Sequence, residues 1–350
     1  MIRRIHLLVV AVRPAVIVLL VMFAGVGMSF STRHPGALVT GRVLVVVVAL
    51  LVFTADINDL SDEAIDRVNL AGDRRRPLVA GTGTRTELQV IAVTAGVLAV
   101  VTAASLGCAP LAVTVAGLVL SAGYSLRPVR LADRGAVASM LLPACYVAVP
   151  FLVAALSVER GVTFRQLALL AGLYVGFVGR ILLKDFRDVQ GDALFGKRTF
   201  LVRHGRRATL VVSISFWTAG GLVVIVLTGR TAVWCALYLG LLALTWFLFI
   251  RLDRCTGRRM EDRLISATAI VGRGTVLLVW MHQATATAGW TDARAALAAT
   301  VVTLLTAAQA LAMVAYGPRQ TLTVPPEWNA EVRPEPLDIR TAASVPVGTQ

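Results

Sequence analysis

About ten apolar stretches, each close to the length needed to cross a bilayer, follow one another along this chain and leave no room for a soluble core. They run over residues 14–31, 39–57, 88–107, 109–124, 136–156, 166–183, 208–228, 232–250, 264–284 and 293–316. A hydrocarbon layer of about 30 Å takes roughly 20 apolar residues as a helix. Backbone within it must satisfy its own hydrogen bonds, which favours helices over open sheets. The 57% hydrophobic content and mean hydropathy of +0.76 exceed those of a soluble domain, where about half the residues are apolar. The expectation is an all-α polytopic membrane protein of about nine to ten transmembrane helices. The first stretch lacks a small-residue cleavage site and is followed by further spans, so it reads as retained rather than as a cleaved signal.

A formal net charge of +14 would suggest nucleic acid in a soluble protein. Here the basic residues fall in alternate loops instead. They crowd the N-terminus (Arg3, Arg4) and the stretches 57–86, 125–135, 184–207 and 251–263, whereas the intervening loops carry only Arg33, Arg42, Arg160, Arg165, Arg230 and Arg294. That is the positive-inside pattern, and it predicts a cytoplasmic N-terminus. Membrane lipid and an anionic substrate are the partners it implies, and nucleic acid is not. The four cysteines (Cys108, Cys145, Cys235, Cys255) and four histidines are scattered, with no CxxC pair, so neither a disulfide framework nor a zinc site is expected. From residue 318 onward the chain turns polar and proline-rich without apolar periodicity. A membrane domain over 1–317 and a disordered cytoplasmic tail over 318–350 are therefore expected.

Chemistry is carried by two acidic clusters with one internal spacing. Asn58-Asp59 opens the first, with Asp62 and Asp66 following; Asp185, Asp188 and Asp192 form the second. Residues at i, i+3 and i+7 share a helix face, so each cluster would present three carboxylates to one side. Both follow long apolar runs, at the ends of the second and sixth stretches, which suggests a duplicated four-helix unit. Carboxylates at a membrane mouth are read as functional by default. Mg²⁺ takes hard oxygen ligands, using one or two carboxylates plus substrate phosphate oxygens. Two facing triplets, with Asn58 adding an amide oxygen, would suit Mg²⁺ and a diphosphate. The chain has two lysines in all, Lys184 and Lys197, and both flank the second cluster. An ammonium acts as a compact point charge toward phosphate. A third segment, Tyr124-Ser125-Leu126-Arg127-Pro128-Val129-Arg130, leaves the fourth stretch with two arginines able to reach a phosphate.

These residues resemble the UbiA superfamily of intramembrane prenyltransferases. Asn58 to Asp66 matches its NDxxDxxxD motif, and Asp185 to Asp192 its second DxxDxxxD motif with Lys184 before it. Tyr124, Ser125, Pro128, Arg130 and Leu131 are similar to its YSxxPxRLK segment, with Ala132 in place of the final lysine. Arg13-Pro14 and Arg76-Pro77 also fit. The resemblance covers about residues 10–315. It implies a helical bundle around a central cavity and Mg²⁺-dependent transfer of a prenyl group from an allylic isoprenyl diphosphate to an aromatic or other hydrophobic acceptor. Asp59, Asp62, Asp66, Asp185, Asp188 and Asp192 are then the catalytic metal ligands, with Asn58. Arg67, Tyr124, Arg127, Arg130 and Lys184 are then expected to contact the diphosphate. Two rivals keep the fold: a terpene cyclase, in which the cation closes on its own chain, and a phosphoribosyl-transferring branch, whose second motif lacks the full aspartate set. A transporter with acidic gating sites is the rival from another class.

Overall fold

A computed structural model describes Leu7, Val10 and residues 13–31, 35–70, 73, 76–229 and 231–317, without the side chains at 190 and 191. The N-terminal Arg3 and Arg4 and the expected tail over 318–350 lie outside the described residues. The chain forms α1 (Pro14–Met28), α2 (Ala37–Ser61), the short α3 (Glu63–Asn69), α4 (Arg85–Ala104), α5 (Cys108–Ser125) and α6 (Ala136–Val158). It continues as α7 (Phe164–Leu194), α8 (Phe200–Thr228), α9 (Ala232–Asp253), α10 (Arg258–Thr287) and α11 (Asp292–Tyr316). Among the described residues nine helices are long and apolar enough to cross a membrane. The exception among the ten apolar stretches is α1, whose 15 residues span only about 22 Å.

Local chemistry sets several helix starts. Thr84 and Glu87 close a reciprocal capping box at α4, and the Thr199 hydroxyl accepts from the Val202 amide at α8. In α6 a π-helical turn over Ala144–Ala148 lies between Pro143 and Pro150. Proline withholds an amide hydrogen from the helical ladder, and such turns recur at functional positions. This one carries Tyr146, which stacks on Phe177 of α7 with ring centroids 6.2 Å apart.

α1 and α6 occupy the middle of the bundle. Phe23, Val147 and Phe151 join the large apolar core shared with α7 to α11, while Val149, Val153 and Ala154 pack against α2 and α4. The most extensive helix contact is α7 against α8. It is made close by glycine: a Cβ on Gly220 would sit 2.4 Å from the backbone nitrogen of Gly176. Small residues let membrane helices approach in the absence of a hydrophobic drive between them. The Ser213 hydroxyl, on the same seam, donates to the carbonyl of Gly179.

Two sequence boundaries are corrected. The helix begun at 39–57 extends to Ser61, and that begun at 166–183 extends to Leu194, because the acidic clusters continue the helical backbone instead of ending it. The stretch 184–207, read as a loop, is therefore helix on both sides of a connection at 195–199, with a break in α8 at Gly205 (φ 75°).

Candidate active site

The first motif is not on one helix face. Asn58 and Asp59 lie in the last turn of α2, the helix breaks at Asp62 (φ −104°, ψ 11°), and Asp66 lies on α3. Arginines hold it together. Arg13 and Arg76 both donate to Oδ1 of Asp59, and Arg76 lies 3.5 Å from Oδ2 of Asp66. Arg130 donates to Oδ1 of Asp62 at 2.6 Å, to the Ser61 carbonyl at 3.1 Å and to Asp133 at 2.8 Å. The Asn58 amide donates to the other Asp62 oxygen at 2.9 Å. Arg13 and Arg130 are also the two non-glycine residues, among those described, with left-handed backbone (φ 46° and 32°). That conformation costs roughly 1–2 kcal/mol per residue. It is sustained here by charge-assisted hydrogen bonds to the motif.

The second motif lies on unbroken α7, and its counter-charges are lysines. Lys184 Nζ is 3.4 Å from Asp188. Lys197 follows Gly196 (φ 69°), whose left-handed turn reverses the chain, and its amide donates to the Asp192 carbonyl at 2.8 Å. Its ammonium then lies 3.5 Å from Oδ1 of Asp192 and 3.9 Å from Oδ2 of Asp62. The Asp192 contact is Coulombic rather than a formed hydrogen bond, since that oxygen is buried without a hydrogen-bond partner. One ammonium thus touches both motifs. Beside it Tyr124, Lys184, Asp185, Asp188, Asp192 and Lys197 line a cleft of about 370 Å³. Burial pushes the carboxyls of Asp66 and Asp192 up to about 6 from the usual 3.8. A separate, mainly apolar cavity of about 270 Å³ lies among α1, α2, α5 and α6, bounded by Leu20, Leu51, Thr54, Ser121 and Tyr146.

Residues 18–266 match the sequence profile of the UbiA prenyltransferase family. The chain belongs to the UbiA prenyltransferase family. It is an enzyme, a multi-pass membrane prenyltransferase. The digeranylgeranylglyceryl phosphate synthase of Methanothermobacter thermautotrophicus is 28% identical over 267 residues, covering 69% of this chain and 89% of that protein. Among solved structures, a UbiA homologue of Archaeoglobus fulgidus bound to GPP and Mg²⁺ superposes with a TM-score of 0.56 at 14% identity. It covers 88% of this chain and 99% of its own. The apo UbiA homologue of Aeropyrum pernix gives 0.56 at 18% identity, over 79% and 97%. At such identities these likenesses carry the fold alone.

Within this UbiA fold the residues expected from sequence fall into two groups. Asp62, Asp192 and Lys197 meet, and Tyr124, Lys184, Asp185 and Asp188 line the cleft with Asp192 and Lys197. Arg67 is exposed and bonded to Glu63 at 2.9 Å, and Arg127 is exposed outside the cleft lining. Arg130 is committed to Asp62. Among the described residues no three His, Cys, Asp or Glu side chains converge as a metal-ion cluster. The donor set nevertheless fits a hard divalent cation: six carboxylates on facing elements, one with an orphaned buried oxygen, and five of them (all but Asp185) with a basic side chain within 4 Å.

Sequence reading missed Asp56. It is 2% exposed, one turn before Asp59 on α2, with Oδ2 lacking a partner among the described residues. Its i−3 spacing from Asp59 was the available signal, hidden because the recognised motif starts at Asn58.

Proposed function

We propose that this protein transfers a prenyl group from an allylic isoprenyl diphosphate to an aromatic or other hydrophobic acceptor, releasing diphosphate in a Mg²⁺-dependent reaction. The observation that supports the reading is the contact of Lys197 with both Asp62 and Asp192, which brings the two aspartate motifs to one ammonium group. Asp59, Asp62, Asp66, Asp185, Asp188 and Asp192, with the Asn58 amide oxygen, would hold Mg²⁺. Bound there, the metal would neutralise charge building on the departing diphosphate. Lys184 and Lys197 place ammonium groups at the same oxygens. Tyr124 lines the cleft, and the apolar walls around Tyr146 would exclude water from the allylic cation. The relative named for digeranylgeranylglyceryl phosphate extends the acceptor class to lipid glycerol phosphates.

The positive-inside pattern supports a cytoplasmic N-terminus and cytoplasmic motif loops. Residues 1–317 form the catalytic domain in this reading, with 318–350 as an appended polar tail. The decisive experiment measures diphosphate release from membranes holding the protein, with Mg²⁺ and allylic diphosphates of several lengths, with and without acceptors. Release that depends on an acceptor and yields a prenylated adduct is the expected result. Release without acceptor, giving a terpene, would make the protein a cyclase.

A further inference from the structure

The seam between α7 and α10 carries three arginines, and only the outermost is neutralised. At the mouth, Arg187 donates to the Asp262 carboxylate at 3.1 Å, the Asp262 carbonyl at 3.2 Å and Ser266 at 2.8 Å. Seven residues back along α7, about 10 Å deeper at 1.5 Å per residue, stands Arg180. Its Nη1 is buried without a hydrogen-bond partner, and its guanidinium lies 5.2 Å over the Phe177 ring. Its Cδ is 4.0 Å from where a Cβ on Gly272 of α10 would sit, and the charge of Arg273, the next residue of α10, acts on it through space. The charged or titratable groups that face Arg180 are Arg273, Arg187 and Tyr146, and none is a carboxylate. Arg273 makes no ion pair or hydrogen bond among the described residues.

Arg180 faces the interior of the bundle rather than lipid. The Phe177 ring beneath it is buried, edge-on to Phe23 of α1 at 5.9 Å and stacked on Tyr146 of α6. One turn toward the mouth, Lys184 lines the diphosphate-side cleft. Two guanidinium groups inside a membrane protein without a counter-ion are costly, and such groups mark ligand paths. Their forked donors suit a carboxylate or a phosphate.

We propose that Arg180 and Arg273 form a second anion site, below the diphosphate cleft, that takes the acidic head of the acceptor. The inference rests on the prenyl-transfer reading and deepens it: the acceptor carries a carboxylate or phosphate, and the Phe177–Tyr146 stack flanks its body. The diphosphate is not the natural occupant, because no metal-ligating carboxylate lies against Arg180.

The test uses the full chain in lipid nanodiscs, with thermal unfolding followed in four probes: geranyl diphosphate with Mg²⁺, 4-hydroxybenzoate, its methyl ester, and an alkyl glycerol phosphate. Wild type should be stabilised by geranyl diphosphate and by an acidic probe, but not by the ester. A response to the carboxylate or to the phosphate says which acid the site takes. Arg180→Met and Arg273→Met should keep the geranyl diphosphate response and bind the acidic probe at least tenfold more weakly. Arg180→Lys should recover part of that loss. Without ligand, both Met variants should be no less stable than wild type, since an uncompensated buried charge has been removed. The inference is overturned if acidic probes leave wild type unmoved while geranyl diphosphate stabilises it. It is overturned equally if the Met variants keep the acid response, or if they lose stability unliganded as a structural arginine would require. Failure of geranyl diphosphate itself would sink the prenyl-transfer reading and this inference together.

Discussion

Around Asp59, Asp62 and Asp66 the close counter-charges are arginines from other parts of the chain, Arg13, Arg76 and Arg130, with Lys197 farther off at 3.9 Å from Asp62. Around Asp188 and Asp192 they are two lysines from the same helix and the turn that follows it. The backbone differs in parallel, broken at Asp62 in the first motif and continuous through the second. Equal spacing in sequence therefore conceals unequal construction. A forked guanidinium with several hydrogen bonds fixes a carboxylate in place, whereas an ammonium on a flexible stem can follow a phosphate. The first motif is the more tightly fixed of the two, and the second, which lines the cleft, is the looser.

The harshest way to break this comparison is to remove a carboxylate from each side. Asp62→Ala and Asp188→Ala should each cut diphosphate release by about a thousandfold or more while the membrane fold persists; near-wild-type turnover in saturating Mg²⁺ would end the metal-ligand assignment. The next largest effect separates the two motifs. Arg130→Ala strands a buried Asp62 carboxylate and should cost about 3–5 kcal/mol in denaturant unfolding, with Asp62→Asn in the same chain restoring most of it. Gly220→Ala should lose about 1–3 kcal/mol by pushing α8 off α7, and should slow turnover without loosening Arg130 from Asp62.

The pH dependence tests both sides at once. Asp66 and Asp192, one from each motif, have carboxyls raised to about 6 by burial. Between their usual 3.8 and 6 the folded protein keeps protons that the unfolded chain has released. The stability these groups contribute is therefore full below the lower value and lost as pH rises to the upper one. Turnover should move the other way, climbing as the carboxylates ionise and can bind a cation. Melting temperature and diphosphate release measured across this window should cross; parallel curves would mean that neither group titrates there. The smallest effects belong to the exposed pairs. Lys184→Met and Arg67→Ala should each change stability by no more than about 0.5 kcal/mol, because Lys184 and Arg67 are more than half exposed. Of the two, only the lysine variant should weaken diphosphate binding.

Much of the architecture was legible because it is local. Apolar runs of bilayer length announced the spans, and the repeated aspartate spacing marked the two motifs that Lys197 bridges. What could not be read is long-range. Nothing near Asp59 says that Arg13, 46 residues earlier, bonds to it, and nothing near Asp62 points 68 residues on to Arg130. The helix break at Asp62 was hidden for a related reason, since the motif's i, i+3, i+7 pattern suits an unbroken helix. Lys197 was half-visible: its rarity marked it, but only the turn at Gly196 shows that it reaches across to the first motif.

That rarity has a practical consequence. Apart from the α-amino group, the chain offers amine-reactive reagents two addresses, both at the cleft. Lys184 stands half in the open and Lys197 is nearly enclosed, with 51% and 12% of their side chains accessible. An acylating label that would coat most proteins indiscriminately thus becomes a footprint of one site here.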